Sequence, residues 1–238
     1  MNDYRQSNAD MEKNQTKADL SPPFQSIDTW VFDLDNTLYP ASSRLFDQVD
    51  RKITEYIMQA LSLGWDDAYK KQKSFFREYG TSLRGMMEVH NIPAEEYLEY
   101  VHNIDLSPIP PSPALNQALE QLPGRKVIFT NGSTAHAKNV TEKLGITHHF
   151  DATFDIVDCE FTPKPDQGVY EKMLSAFGIN PKSAVMIEDM ARNLVPAAAL
   201  GMTTVWVRTE EAWAVEGAGG DHIDHIVDDL AEWLKTIA

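Results

Sequence analysis

Val31-Phe32-Asp33-Leu34-Asp35-Asn36-Thr37-Leu38-Tyr39-Pro40 is the stretch on which the fold turns. Trp30, Val31 and Phe32 are aromatic or β-branched without polar interruption, as at the end of a strand buried on both faces of a parallel sheet. Two carboxylates follow at a spacing of two, so an extended backbone aims Asp33 and Asp35 the same way. Asn36 and Pro40 mark a turn out of the sheet. Like charges this close repel unless a cation or a shared proton compensates. Taken alone, the pair is equally well a polar strand end in an acidic chain.

Outward from this strand the pattern is first helical. Phe46, Val49, Ile53, Ile57 and Leu61 fall at three- and four-residue intervals, and Gly64 is placed to end that helix. A second helix is expected over 66–79 with Tyr69, Phe75 and Phe76, broken by Gly80-Thr81. A short third holds Leu83, Met86 and Met87, and Ile92-Pro93 opens a fourth with Tyr97, Leu98 and Val101 as its apolar side. Pro108-Ile109-Pro110-Pro111 cannot extend a helix and reads as a linker. Residues 41–112 are therefore expected to form an all-helical insertion.

From Ser112 strand and helix alternate. Ser112 is placed to cap, and Pro113 to start, a helix with Leu115, Leu119 and Leu122 on one face. Strands are expected at 126–130, 154–156, 184–187, 203–207 and 226–227. Ser133 and Asp166 are placed to cap the helices that carry Val140 and Leu144, and Val169 and Phe177. This alternation predicts a parallel sheet covered by helices on both faces, with ligands beyond the carboxyl ends of its strands. The α/β core comprises 27–40 and 113–238. Residues 1–26 are polar, end in Ser21-Pro22-Pro23 and read as a disordered leader.

Composition narrows the function. A hydrophobic fraction of 42% and five Trp in 238 residues supply a sizeable core. A net charge of -15 argues against polymeric nucleic acid and anionic membrane as partners, since both need a basic face, but leaves room for a small anionic ligand in a local field. Cys159 is the only cysteine, which excludes a disulfide framework and a thiolate zinc cluster. No apolar run reaches membrane-spanning length and no signal-peptide core is present, so a cytoplasmic protein is expected.

Asp33 and Asp35, Thr130 and Asn131, and Glu188 and Asp189 each lie just past the end of an expected strand, and Lys164 lies in a loop before a helix. One mouth would then gather carboxylates, a hydroxyl, helix N-terminal N–H groups and an ammonium. Oxygen ligands without His or Cys suit Mg²⁺, and a cation with Lys164 and free N–H groups makes a receptor for a phosphoryl group.

In these residues the chain resembles the haloacid dehalogenase (HAD) superfamily of phosphohydrolases. Asp33-Leu34-Asp35-Asn36-Thr37, Thr130 after an apolar strand, Lys164 before Pro165, and Glu188-Asp189 match its four motifs in order. The helical insertion falls where that superfamily carries its C1-type cap, over a Rossmann-like core. The resemblance extends from about Ser26 to the C-terminus, and is nearer to the pyrimidine 5′-nucleotidase branch. Phe32 to Pro40, Phe129-Thr130-Asn131-Gly132-Ser133, Lys164-Pro165-Asp166, Tyr79-Gly80-Thr81 and Asn193-Leu194 carry that likeness. The chain departs from the pattern in having Glu188-Asp189 where Asp-Asp is common, and Asn193 where other branches have an acid.

The resemblance implies a Mg²⁺-dependent phosphomonoesterase acting on a small phosphorylated metabolite, a pyrimidine nucleoside 5′-monophosphate in the nearer branch. Asp33 would be the nucleophile and Asp35 the acid and base. Asp33, the Asp35 backbone carbonyl and Asp189 would hold the metal, with Glu188 behind them. Thr130, Asn131 and Lys164 would bind the phosphate. Tyr39, Tyr79, Thr81 and Arg84 are candidates for the leaving group, an aromatic face and a cation being what a nucleotide uses. His136 either reaches a ligand or occupies a solvated helix position, while His102 and Asp105 read as ordinary loop or core residues. Asp151, Asp155 and Asp158 read as solvated surface, and Asp221-His222 and Asp224-His225 as a polar loop. The competing readings are a broad sugar-phosphate phosphatase and a non-catalytic phospholigand-binding protein.

Overall fold

The structure, a computed structural model, describes residues 20–21, 24–209, 211 and 214–238. Its strands are β1 (Thr29–Phe32), β2 (Arg125–Phe129), β3 (Ala152–Phe154), β4 (Ala184–Glu188), β5 (Thr203–Val207) and β6 (His225–Val227). They form one parallel sheet in the order β3-β2-β1-β4-β5-β6. The chain runs one way from β1 through β2 to β3 and the other way through β4 to β6, so the order reverses at β1. A crevice opens at such a reversal, beyond the carboxyl ends of the strands.

Alternation along β1 sends its side chains to two cores. Trp30 and Phe32 join the apolar faces of α5 (Pro113–Gln121), α6 (Thr134–Leu144) and α9 (Leu230–Ile237). Val31 joins the opposite core, with α7 (Gln167–Phe177) and α8 (Leu194–Leu200). Every residue of β1 is buried, as a strand covered on both faces requires. Truncating Trp30 to Ala would cost about 3–5 kcal/mol. Between β1 and α5 stand four helices, α1 (Leu45–Leu61), α2 (Trp65–Tyr79), α3 (Ser82–His90) and α4 (Ala94–Val101), most of whose buried apolar side chains are continuous with the second core, while Leu45 joins the first.

Local chemistry corrects several sequence expectations. Ser62, not Gly64, takes the left-handed conformation that ends α1, and Gly64 is the N-cap of α2. Tyr69 is exposed on α2. Ser112 makes no side-chain cap to α5. The third strand lies at Ala152–Phe154, two residues earlier than expected. Most of the expected leader lies outside the described residues, but its end does not behave as a leader. Leu20 is buried, and Phe24 opens a turn of 3₁₀-helix and packs on Trp30, His225 and Trp233. Asp155 is not solvated surface: it is buried and accepts from the N–H groups of Thr134, Val157 and Asp158 and from the Thr134 hydroxyl. Asp151 and Asp224 are exposed, yet each accepts from a strand N–H, of Lys126 and Thr204 respectively.

Candidate active site

The motif after β1 is shaped by two local features. The Asp33 N–H still donates to Ile187, extending the sheet ladder by one residue, so the Asp33 carboxylate starts where the strand stops. Asn36 then adopts a left-handed conformation at φ 61°, which short polar side chains tolerate, and the chain leaves the sheet.

Lys164 is the hub. Its Nζ donates to Asp33 Oδ1 at 2.7 Å, to Glu188 Oε2 at 2.7 Å and to the Phe129 carbonyl at 2.9 Å. Three acceptors match the three protons of an ammonium and fix its position. Asn131, expected to touch phosphate, spends its side-chain amide on the Lys164 backbone, accepting at 2.8 Å and donating at 3.4 Å. Thr130 Oγ1 accepts from the Gly132 N–H at 2.9 Å, which leaves the hydroxyl proton for another acceptor.

The acids divide by what their oxygens do. Glu188 has both engaged, one with Lys164 and the other accepting from the Met190 N–H at 3.2 Å. Asp189 Oδ2 is buried and has no hydrogen-bond partner. One oxygen from each of Asp33, Glu188 and Asp189 can be chosen so that all lie within 4.8 Å of one another. Asp35 stands apart from that cluster, with Oδ1 bonded to the Tyr39 hydroxyl at 2.6 Å and to His136 Nε2 at 2.8 Å.

A haloacid dehalogenase-like hydrolase family model matches residues 27–201, most of the chain. The chain belongs to that family. Among curated relatives, phosphate metabolism protein 8 of Saccharomyces cerevisiae is 27% identical over 77% of this chain, and the matched region spans only 62% of that protein. A glyceraldehyde 3-phosphate phosphatase of Pyrococcus furiosus is 24% identical over 87% of this chain and 91% of its own. Among solved structures, a HAD phosphatase from Thermococcus onnurineus superposes with a TM-score of 0.58 at 20% identity, covering 88% of this chain and 97% of that one. L-2-haloacid dehalogenases share the fold as well.

Electrostatics in this haloacid dehalogenase-like mouth are unbalanced. Burial first, then Glu188, pushes the Asp33 carboxyl up to about 7 despite Lys164 beside it. Burial, Glu188 and Asp33 hold Asp189 well above the usual carboxylate range. Burial alone would lower the Lys164 pKa, but Asp33 and Glu188 outweigh it and raise it. Fully ionised, the three buried carboxyl groups would exceed the single ammonium in charge, and that excess adds to burial in raising Asp33 and Asp189. That excess and the unpartnered Asp189 oxygen fit a hard divalent cation bound through oxygen. Around Asp35 the balance differs. Burial would raise its pKa, but His136 and the Tyr39 hydroxyl outweigh burial and lower it. His136 is raised by Asp35 against its own burial, while burial and His136 push His102 down to about 3.

Three of the expected leaving-group contacts are differently employed. Tyr39 is buried, with its hydroxyl on Asp35, and presents no open aromatic face. Thr81 caps α3 by accepting from the Arg84 N–H, and Tyr79 packs edge-on against Phe75 within the helical layer. Between them Gly80 meets the loop that carries Lys164. At φ 82° it favours glycine, and a Cβ there would stand 2.8 Å from Pro163 Cγ.

His136 is neither solvated nor free to reach a ligand, and of the loop or core roles expected for His102 the packed one holds, since the two rings stack behind Asp35. The position of His136 one turn after the Ser133 cap hinted at this; nothing in the spacing tied His102 to it. Asp105 is exposed and binds its own loop through Ser107.

Proposed function

We propose that this chain is a Mg²⁺-dependent phosphomonoesterase of small phosphorylated metabolites, working through an aspartyl-phosphate on Asp33. The observation that carries the reading is the Lys164 ammonium shared between Asp33 and Glu188 beside the unpartnered Asp189 oxygen. Asp33, the Asp35 backbone carbonyl and Asp189 are the ligands we assign to Mg²⁺, with Glu188 behind them because both its oxygens are occupied. Bound there, Mg²⁺ supplies Lewis-acid stabilisation of phosphoryl charge.

The remaining steps belong to the protein. An oxygen of Asp33 attacks phosphorus, and the ester oxygen departs with a proton from Asp35, which must be protonated in the substrate complex against the lowering by His136 and Tyr39. Lys164 screens the repulsion between nucleophile and substrate, and the Thr130 hydroxyl donates to a phosphoryl oxygen. Asp35 then takes a proton from the water that cleaves the aspartyl-phosphate and releases inorganic phosphate. A dehalogenase has no leaving oxygen to protonate, so the fixed Asp35 favours ester hydrolysis over that other chemistry of the fold. In the same way, intact Asp35 and Lys164 favour an enzyme over a phospholigand-binding protein.

The relatives named as glyceraldehyde 3-phosphate phosphatases make triose and other sugar phosphates the first substrate class to try. Pyrimidine nucleoside monophosphates are the second, on the motif likeness described above. Over them we propose residues 41–112 as a cap domain on a core of 27–40 and 113–238. Phosphate release from glyceraldehyde 3-phosphate, UMP, CMP, dTMP, AMP and p-nitrophenyl phosphate, with and without Mg²⁺, tests the reading. Mg²⁺-dependent release from at least one ester is expected; none from any ester overturns it.

A further inference from the structure

An acid that must hand a proton to a departing oxygen has to present the right carboxylate oxygen, and the terminal torsion of an Asp side chain is broad and nearly two-fold. Both hydrogen bonds to Asp35 fall on Oδ1, from Tyr39 and from His136, and neither falls on Oδ2. The carboxylate is therefore fixed by one oxygen with the other left for chemistry. The Asp35 side chain is 16% exposed, whereas His136 behind it is 1% exposed.

His136 is in turn held by two groups. Its backbone N–H donates to Ser133 Oγ at 3.2 Å as the cap of α6. His102, the residue that ends α4, lies flat against its ring, with centroids 4.3 Å apart and planes 8° from parallel. His102 Nδ1 is 3.0 Å from the same Ser133 hydroxyl. Gly132 lies against this assembly: a Cβ there would stand 3.3 Å from Thr130 Oγ1, 3.4 Å from the His136 ring and 3.6 Å from the His102 ring. The stack thus joins the end of the helical layer to the strand-end loop of β2.

We infer that His136 and His102 are positioning residues for Asp35, His136 fixing which oxygen faces the departing group and His102 making that aim depend on where the helical layer stands. The inference rests on the proposed role of Asp35 as proton donor. Misplacing a reacting group by about 1 Å costs on the order of 10²-fold in rate, so a fixed carboxylate matters. Neither histidine touches substrate. In kcat/KM their effect is read in the step in which the Asp35 proton passes to the ester oxygen as the phosphorus–oxygen bond breaks and the Asp33–phosphorus bond forms.

The test compares kcat/KM for phenyl phosphate, whose leaving group needs the proton, with p-nitrophenyl phosphate, whose leaving group needs it far less. His136→Ala is expected to lower the phenyl to p-nitrophenyl ratio at least about tenfold. His136→Gln, whose amide can donate to the same oxygen, should recover part of it. His102→Ala should move the ratio the same way, and His102→Phe, which keeps a ring over His136, should restore it. Equal losses on both esters for both alanine variants overturn the inference. A shift for His136→Ala without one for His102→Ala overturns the dependence on the helical layer. If His136→Ala does not fold, the two His102 variants carry the comparison. Wild-type protein that hydrolyses neither ester defeats the phosphatase reading itself, and this inference with it.

Discussion

The Lys164 ammonium lies 2.7 Å from Asp33 Oδ1, although 131 residues separate the two in sequence. With Glu188 at the same distance on its other side, this ammonium is the one cation facing the buried acids of the mouth among the described residues. Lys164→Met should therefore destabilise the protein by about 3–5 kcal/mol, because it strands buried carboxylates. Melting temperature should fall by roughly 6–20 °C for a chain of this size. A melt within 2 °C or so of wild type would show that the acids do not need Lys164.

Asp33→Asn separates chemistry from stability. Loss of the nucleophile should lower kcat more than about 10⁴-fold. Stability without metal should move the other way. The Asp33 pKa is raised, to about 7, so its contribution is most favourable below the unfolded value of 3.8 and declines as pH rises through 7. A neutral amide has no such decline, so the melting temperature of the variant relative to wild type should be higher at pH 8 than at pH 5. Phosphate release near the wild-type rate would remove Asp33 from its assigned role.

Metal affinity should follow the same protons. Asp33 and Asp189 are both raised, so a divalent cation must displace protons to bind at acid pH. Thermal stabilisation by millimolar Mg²⁺ should grow from pH 5.5 to pH 8, reaching about 2.7 kcal/mol once the ion exceeds its Kd a hundredfold. Calorimetry in two buffers of different ionisation enthalpy would detect the released protons. A pH-independent stabilisation would place the ion elsewhere.

Asp155 offers a structural control. Its carboxylate accepts from three backbone N–H groups and a hydroxyl around the start of α6. Asp155→Ala leaves buried donors unsatisfied at about 1–3 kcal/mol each, so a loss of at least about 2 kcal/mol is expected. Denaturant unfolding should show a lower midpoint with an unchanged slope.

How much of this was legible in the sequence depended on the range of the interactions. The strands β1, β4 and β5 announce themselves because burial on both faces demands apolar runs. The acids after β1 and β4 could be expected to meet because strand ends in such a sheet converge on one side, and Lys164 to join them from its loop before a helix. Helix ends were read less well, since Ser62 adopts a left-handed conformation that glycine more often takes. Asp155 looked like surface because most of its partners are backbone groups, which leave no mark in composition. The stack of His102 on His136 was invisible for a related reason: it depends on how the helical layer meets the sheet, a tertiary contact with no sequence period.

Asp33 follows β1, and Glu188 ends β4, and these two strands are hydrogen-bonded neighbours with a further strand on the outer side of each. Neither can fray from an edge. Heat or denaturant has to open the middle of the sheet before these acids separate, so the ability to chelate should vanish together with the global unfolding transition and not ahead of it.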